Sequence, residues 1–300
     1  MTETSEATFT ANRSRLVGVA YRMLGSLGDA EDVVQEAWLR WARVDHSTVD
    51  DPTAFLVRTV SRLALDRMRR VAARRETYVG PWLPEPVLTG RAGPDDQDPA
   101  AEAERAASLS MAMLVVLETL SPLERTVFVL HEAFAYPYTE IADVLDRSPA
   151  AVRQLAHRAR EHVAARRPRF APDPDLRREA TERFLRASLH GDLGALLELL
   201  APDAVLWADG GGKVRAPRRP IRGADKIARF FAAVGGEALS SGATVEIVEV
   251  NGGPAAVLVG PSGAEGVLQL DLDGEGRVTD IRMVGNPDKL GGLASLAADG

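Results

Sequence analysis

The chain has no cysteine, which excludes a disulfide framework, thiolate catalysis and any cysteine-ligated zinc or iron–sulfur centre. Histidine is scarce: five are scattered over 300 residues, with no His-x-x-x-His or His-Glu-x-x-His pair, so neither a metal nor another cofactor is expected. No apolar run approaches the ~18–20 residues needed to cross a bilayer. The first nine residues are acidic and polar rather than a charged-then-apolar leader, so a soluble, cytoplasmic chain with no membrane association is expected. Lysine is almost missing. All three, Lys213, Lys226 and Lys289, lie beyond residue 200, so every cation of the first half is an arginine.

What is present describes a globular chain of several domains. A 45% hydrophobic fraction is enough to build real cores, and 300 residues exceed one small domain. The net charge of −7 argues against a protein that coats nucleic acid over its whole surface, but the average hides two stripes. Seven Arg stand against Asp66 alone between residues 58 and 75, and seven against Glu161 between 147 and 169. Arginine presents a planar fork suited to phosphates and guanine edges. The stripes read either as two nucleic-acid contacts or as two solvated helix faces.

Residues 9–75 have helical periodicity. Leu16, Val19, Ala20 and Met23 share one face, Gly25-Ser26-Leu27-Gly28 interrupts it, and Asp29 is a candidate cap for a second helix. That helix places Val34, Ala37, Trp38 and Trp41 on one side and Asp29, Glu31, Asp32, Gln35 and Glu36 on the other. After a polar loop, 44–51, Pro52 opens a third helix that carries Leu56, Val60, Leu63 and the first arginine stripe. Five Pro and three Gly between 80 and 99 mark a tether. Its start, from Tyr78 through Trp82-Leu83-Pro84-Glu85-Pro86, is too apolar for a free spacer and is expected to dock; residues 91–101 read as flexible.

A second helical body spans 101–167. Ser121-Pro122-Leu123-Glu124 is a capping box with proline at the first helical position. A short helix over 139–145, the turn Asp146-Arg147-Ser148 and a helix opened by Pro149 match a helix-turn-helix. Val152, Leu155, Ala159 and Val163 face inward, which leaves Arg153, Gln154, His157 and Arg158 outside for base edges. A helical hairpin with a charged exterior is the bland alternative. Beyond a second tether at 168–174 the period changes. Two amphipathic helices split by Gly191-Asp192 precede β-like runs at 204–207, 244–250, 255–259, 266–272 and 278–284, with a helix at 224–234 among them. That pattern predicts an α+β domain, an antiparallel meander curved under helices on one face. Asp209, with His190 second, is the candidate general base should this domain be catalytic, although Gly210-Gly211-Gly212 reads more naturally as a turn that Asp209 caps.

Two blocks in the first half carry a resemblance. Gly28-Asp29-Ala30-Glu31-Asp32-Val33-Val34-Gln35-Glu36-Ala37-Trp38 and Arg62-Leu63-Ala64-Leu65-Asp66-Arg67-Met68-Arg69 resemble region 2 of extracytoplasmic-function RNA polymerase sigma factors. Leu120 to Arg125, and Ser148-Pro149-Ala150-Ala151-Val152-Arg153 through Arg160, resemble region 4. Trp82-Leu83-Pro84-Glu85-Pro86, Asp209-Gly210-Gly211-Gly212-Lys213-Val214 and Asn286-Pro287-Asp288-Lys289-Leu290 resemble the SigJ-type branch, which carries a fused SnoaL-like domain of the NTF2-like fold. One departure is Ser61-Arg62, where many relatives have Arg-Asn.

The resemblance implies a multidomain chain of two all-α sigma domains and an α+β NTF2-like domain: region 2 at 8–77, a linker at 78–104, region 4 at 105–168 and the SnoaL-like domain at 173–300. It implies a non-enzymatic sigma factor with two partners, core RNA polymerase (β′ clamp helices and β flap) and promoter DNA. Asp29, Glu31, Asp32, Gln35 and Glu36 would meet the polymerase. Arg62, Arg67, Arg69 and Arg70 would serve the minus-ten element, with His46 helping in the loop before them, and Arg153, Gln154, His157 and Arg158 the minus-thirty-five element. For Trp38 and Trp41 core packing is the favoured role. The linker would thread toward the polymerase channel. Trp82, Leu83, Pro84, Asp209, Gly210, Lys213, Asn286, Pro287 and Asp288 would form an intramolecular regulatory contact with the sigma domains. The competing readings are a stand-alone helix-turn-helix regulator that senses a ligand, and an isomerase- or cyclase-like C-terminal activity.

Overall fold

The computed structural model describes residues 2–75, 78–89, 110–166, 173–240 and 242–296, which fall into two compact units. The first begins with helices α1 (Thr2–Leu24), α2 (Leu27–Trp41) and α3 (Pro52–Arg75), packed on one another as a three-helix body. Leu16, Val19, Ala20 and Met23 are wholly buried, as their spacing predicts. Gly25 ends α1 with φ 70, a conformation that glycine adopts without a Cβ clash. The cap of α2 is Ser26, whose hydroxyl accepts from the Asp29 amide at 3.1 Å. This corrects the expected Asp29 cap. One glycine suffices to turn the chain, so α2 starts three residues earlier and Asp29 falls in its first turn. Trp41 is buried and its indole N–H donates to the Ser5 carbonyl at 3.0 Å, while half-buried Trp38 packs at a tilt against Phe9, so both indoles take part in the packing of this body.

The same unit continues with α4 (Met111–Glu118), α5 (Pro122–Phe128), a wide π turn at Val129–Ala133, α6 (Tyr138–Leu145) and α7 (Pro149–Arg166). Both bonds of the Ser121–Glu124 capping box are present. Asp146 ends α6 with φ 53, and Ser148 caps α7 by accepting from the Ala151 amide. Val152, Leu155, Ala159 and Val163 form the buried stripe of α7. Sequence periodicity did not reveal the seam joining the two helical bodies. Arg125 is 3% exposed; its guanidinium pairs with Glu118 and its Nε donates to the Arg22 carbonyl at 3.1 Å, which ties α5 to the end of α1. A buried charge of this kind is tolerable because a carboxylate and a carbonyl surround it.

The second unit comprises α8 (Pro174–Leu189), α9 (Leu193–Leu199), α10 (Ala224–Ser240) and a six-stranded sheet. The strands are β1 (Leu200–Asp209), β2 (Ile221–Arg222), β3 (Thr244–Val250), β4 (Gly253–Gly260), β5 (Gly263–Leu272) and β6 (Val278–Val284), in the order β2-β1-β6-β5-β4-β3. The expected meander is present over β3–β6, but β1 lies parallel to β6, so the sheet is mixed. The reason is the crossover. Helix α10 carries the chain from the β2 edge to the far edge, and the returning meander brings β6 alongside β1 in the same direction. Leu206, Leu270 and Ile281 join Phe184, Leu196, Ile227 and Phe231 in the core under the helices. Strand alternation sends Asp209 to the opposite face. Two short 3-10 turns, Pro287–Lys289 and Gly291–Leu296, end the described chain.

Helices α8 and α10 touch at Gly235, where a Cβ would stand 1.8 Å from the Ser188 carbonyl oxygen. Gly235→Ala is therefore expected to destabilise the second unit by about 1–3 kcal/mol or more. Gly236→Ala, with nothing within 4 Å of its Cβ, should be neutral or stabilising. Thermal unfolding of the two variants checks the contrast.

Candidate nucleic-acid interface and the anchored tether

The N-terminal half of α7 presents Arg153, Gln154, His157 and Arg158 to solvent, as expected. They are not equivalent. Arg158 donates to Glu124 at 3.0 Å, and the Ser121 hydroxyl, followed by Arg158, holds that carboxyl below its ordinary range. His157 lies 3.5 Å from Glu161 on its own helix. Arg153 and Gln154 are exposed and have no side-chain partner among the described residues.

In the three-helix body the expected minus-ten arginines are largely engaged within the protein. Arg62 Nε donates to the Val144 carbonyl at 3.0 Å and its Nη2 to that of Asp143 at 2.5 Å, capping the C-terminal end of α6 where a cation is favoured. Arg67 pairs with Asp29 and lies 3.4 Å from Asp32, so one expected DNA contact neutralises two expected polymerase contacts. Arg69 pairs with Asp66 at 3.2 Å, and Arg70 Nε donates to the Asp66 carbonyl at 3.3 Å, both at the surface. Glu36 pairs with Arg40, whereas Glu31 and Gln35 are exposed. His46 Nε2 lies within hydrogen-bond distance of the Ser5 hydroxyl and the Trp41 carbonyl.

Among the described residues, the most highly connected polar site lies in the second unit, on the sheet face away from the helices. Asp209 and Lys289 are buried there, 1% and 6% exposed, with Nζ 2.7 Å from Oδ2. The tether supplies the rest. Tyr78 donates its hydroxyl to Asp209 Oδ1 at 2.5 Å, and the Leu83 amide donates to Oδ2 at 2.8 Å. Lys289 donates back to the Leu83 carbonyl at 2.5 Å, with its ammonium 3.9 Å from the centre of the Trp82 ring. The Gly211 amide completes the carboxylate's partners at 3.1 Å. A buried ion pair persists when its remaining lone pairs and protons are satisfied in this way. Burial, then the neighbouring Asp209, drives the Tyr78 phenol well above its ordinary range, so it remains a donor.

The three sequence motifs of this unit converge on that pair. Asn286 Nδ2 donates to the Tyr78 hydroxyl at 2.8 Å, and its Oδ1 caps the turn opened by Pro287. Lys213 reaches Asp288 at 2.6 Å on the surface. Gly211, at φ 59, admits Asn286 only because it has no Cβ, which would lie 2.3 Å from Nδ2. Leu83, Pro84 and Pro86 are buried. Farther along, the Thr89 amide donates to the Glu249 carbonyl, and Asn251 exchanges bonds with Val87 at 2.9 and 3.2 Å. Residues 78–89 thus belong to the second unit rather than to a separate linker; residues 91–101 lie outside the described residues. Tyr78, Asn251 and Lys289 were missing from the sequence-based site. Lys289 was visible only as a lysine inside an otherwise turn-like motif.

Models of known families match three stretches of the chain: sigma-70 region 2 over residues 8–75, sigma-70 region 4 over 110–163, and a SnoaL-like domain over 181–284. The extracytoplasmic-function sigma factor SigJ of Mycobacterium tuberculosis is 43% identical over 294 residues, which cover 95% of this chain and 92% of SigJ. The chain belongs to the extracytoplasmic-function sigma factors. A second M. tuberculosis protein, described as the probable sigma factor SigI, is 34% identical over 98% of this chain and 97% of its own length. The crystal structure of M. tuberculosis SigJ superposes with a TM-score of 0.75 at 39% identity, covering 95% of this chain and 98% of that one. Sigma factors bind core RNA polymerase and promoter DNA and initiate transcription without being enzymes.

The C-terminal domain of this sigma factor is SnoaL-like, with two helical sigma regions before it. Neither expected general base lines its apolar cavity. Asp209 points to the opposite sheet face with every lone pair engaged, and His190 borders a separate groove beside Arg186 and Asp192. Among the described residues, no helix is long and apolar enough to cross a membrane. Removing one partner of a buried pair leaves the other charge stranded, so Lys289→Met is expected to destabilise the second unit by about 3–5 kcal/mol. Adding Asp209→Asn should recover part of that loss. Urea unfolding of the two single variants and the double variant measures the coupling.

Proposed function

We propose that this sigma factor is a dissociable promoter-specificity subunit whose C-terminal domain regulates it in cis by holding the tether between its two sigma regions. The full-length likeness to sigma factors, with region 2, region 4 and the SnoaL-like domain in one order, carries the reading. In it, α2 offers Glu31, Gln35 and Glu36, with Asp29 and Asp32, to basic positions on the β′ clamp helices, and region 4 sits on the β flap. Helix α7 reads the minus-thirty-five element in the major groove through Arg153 and Gln154, flanked by His157 and Arg158. Arg67, Arg69 and Arg70 neutralise phosphates near the minus-ten element, with Arg62 joining them once it leaves α6.

The regulatory part follows from where the tether is anchored. In this reading Trp82, Leu83 and Pro84 reach the polymerase channel only after leaving Asp209, Lys289 and Asn286. Gly210, Lys213, Pro287 and Asp288 shape the surface they leave. Anchoring therefore adds a cost to polymerase engagement, a two-state coupling within one chain.

Run-off transcription with purified bacterial core polymerase tests the proposal. Added full-length chain is expected to produce discrete starts that core alone does not. Arg153→Ala and Gln154→Ala should each lower them about 5- to 150-fold, the equivalent of ~1–3 kcal/mol per base contact. Lys289→Met, which frees the tether, should raise the yield. Tight operator binding with no polymerase-dependent starts would instead favour the stand-alone regulator, and equal yields from wild type and Lys289→Met would refute regulation through the anchor.

A further inference from the structure

We propose that the second unit binds one uncharged, apolar small molecule in the cavity between α8, α10 and the sheet, and that loop 210–216 senses its occupancy. The cavity measures about 320 Å³, within the range of roughly 300–1,000 Å³ typical of small-molecule sites and too small for a helix or a strand pair. Phe184 and Phe231 line it from the helices, and Leu258, Leu268 and Met283 from β4, β5 and β6. Its charged lining residues, Arg215 and Glu265, are both exposed and so belong to the mouth. The Ser188 hydroxyl is already spent on the Phe184 carbonyl at 2.8 Å. No lining side chain has a buried polar atom without a partner among the described residues. Such an interior leaves a charge or a hydrogen-bonding headgroup without adequate partners, and it favours apolar guests.

The coupling comes from one short loop with two faces. Asp209 starts it in the anchor, and the Lys213 and Val214 amides fold back onto the Gly210 carbonyl at 2.9 and 3.3 Å. Val214 and Ala216 then line the cavity, and Val214 is 43% exposed, so its position is not fixed by packing on every side. A guest that packs against Val214 holds the turn that carries Asp209, and hence favours one state of the tether. This rests on the anchor described above but not on promoter recognition, and its readouts need no polymerase. Failure of the transcription assay and failure of this proposal are therefore separate results.

The test titrates the full chain with N-phenyl-1-naphthylamine, an uncharged aromatic whose fluorescence rises on burial. Saturable binding of one probe per chain is expected, with slowed amide exchange at 210–216. Leu258→Trp, which fills the cavity, should weaken binding at least tenfold while far-ultraviolet circular dichroism stays unchanged. Met283→Trp serves the same purpose if Leu258→Trp does not fold. Absence of saturable binding, equal binding by a folded filled variant, or unchanged exchange in the loop would each overturn the proposal.

Discussion

The buried pair of Asp209 and Lys289 organises the second unit. A carboxylate and an ammonium taken out of water repay their desolvation only when each remaining hydrogen-bonding site finds a partner. Here those partners come from distant parts of the chain: the Tyr78 hydroxyl and Leu83 backbone from the tether, Gly211 from the loop after β1, and the Trp82 face over the ammonium. None of these groups is satisfied alone. The tether is bound because the pair needs it, and the pair is tolerable because the tether is bound. The glycines of the following loop have the same origin, since Gly211 must let Asn286 approach to orient Tyr78.

A different economy operates in the first unit. Its arginines are numerous and mostly placed at the surface, yet several are used at home. Arg62 caps α6, Arg67 holds two acids of α2, and Arg158 serves the capping box of α5. These are partly solvated contacts of modest strength, readily exchanged for phosphates or for a partner's side chains. Arg125 is the exception. Buried against Glu118 and the Arg22 carbonyl, it is a structural joint between the two helical bodies rather than a spare cation. The same residue type thus has two fates, set by burial.

Local features were legible in the sequence to the extent that local physics determines them. The Ser121 capping box, the Ser148–Pro149 helix start, the α7 stripe and strands β3 and β6 were read with nearly their observed limits, because capping and periodicity act over a few residues. The sigma regions and the SnoaL-like domain were legible as motifs. What escaped is what depends on long-range pairing. The parallel β1–β6 ladder needs a crossover that no window of sequence contains, and Lys289 meets Asp209 across 80 residues. Tyr78 meets Asn286 across 208. The Ser26 cap was missed for a simpler reason, since the glycines on either side made the helix break look wider than one turn.

The Asp209–Lys289 pair makes residues 78–89 a folded part of the C-terminal unit. Amide hydrogen exchange of Leu83 in the full chain, wild type against Lys289→Met, tests it most directly, because that N–H is bonded to Asp209 itself. Leu83 is expected to exchange as slowly as neighbouring β1 amides in wild type, and much faster in the variant while β4 and β5 remain protected. Rapid exchange of Leu83 in the wild-type protein, or equal protection in both, would contradict it.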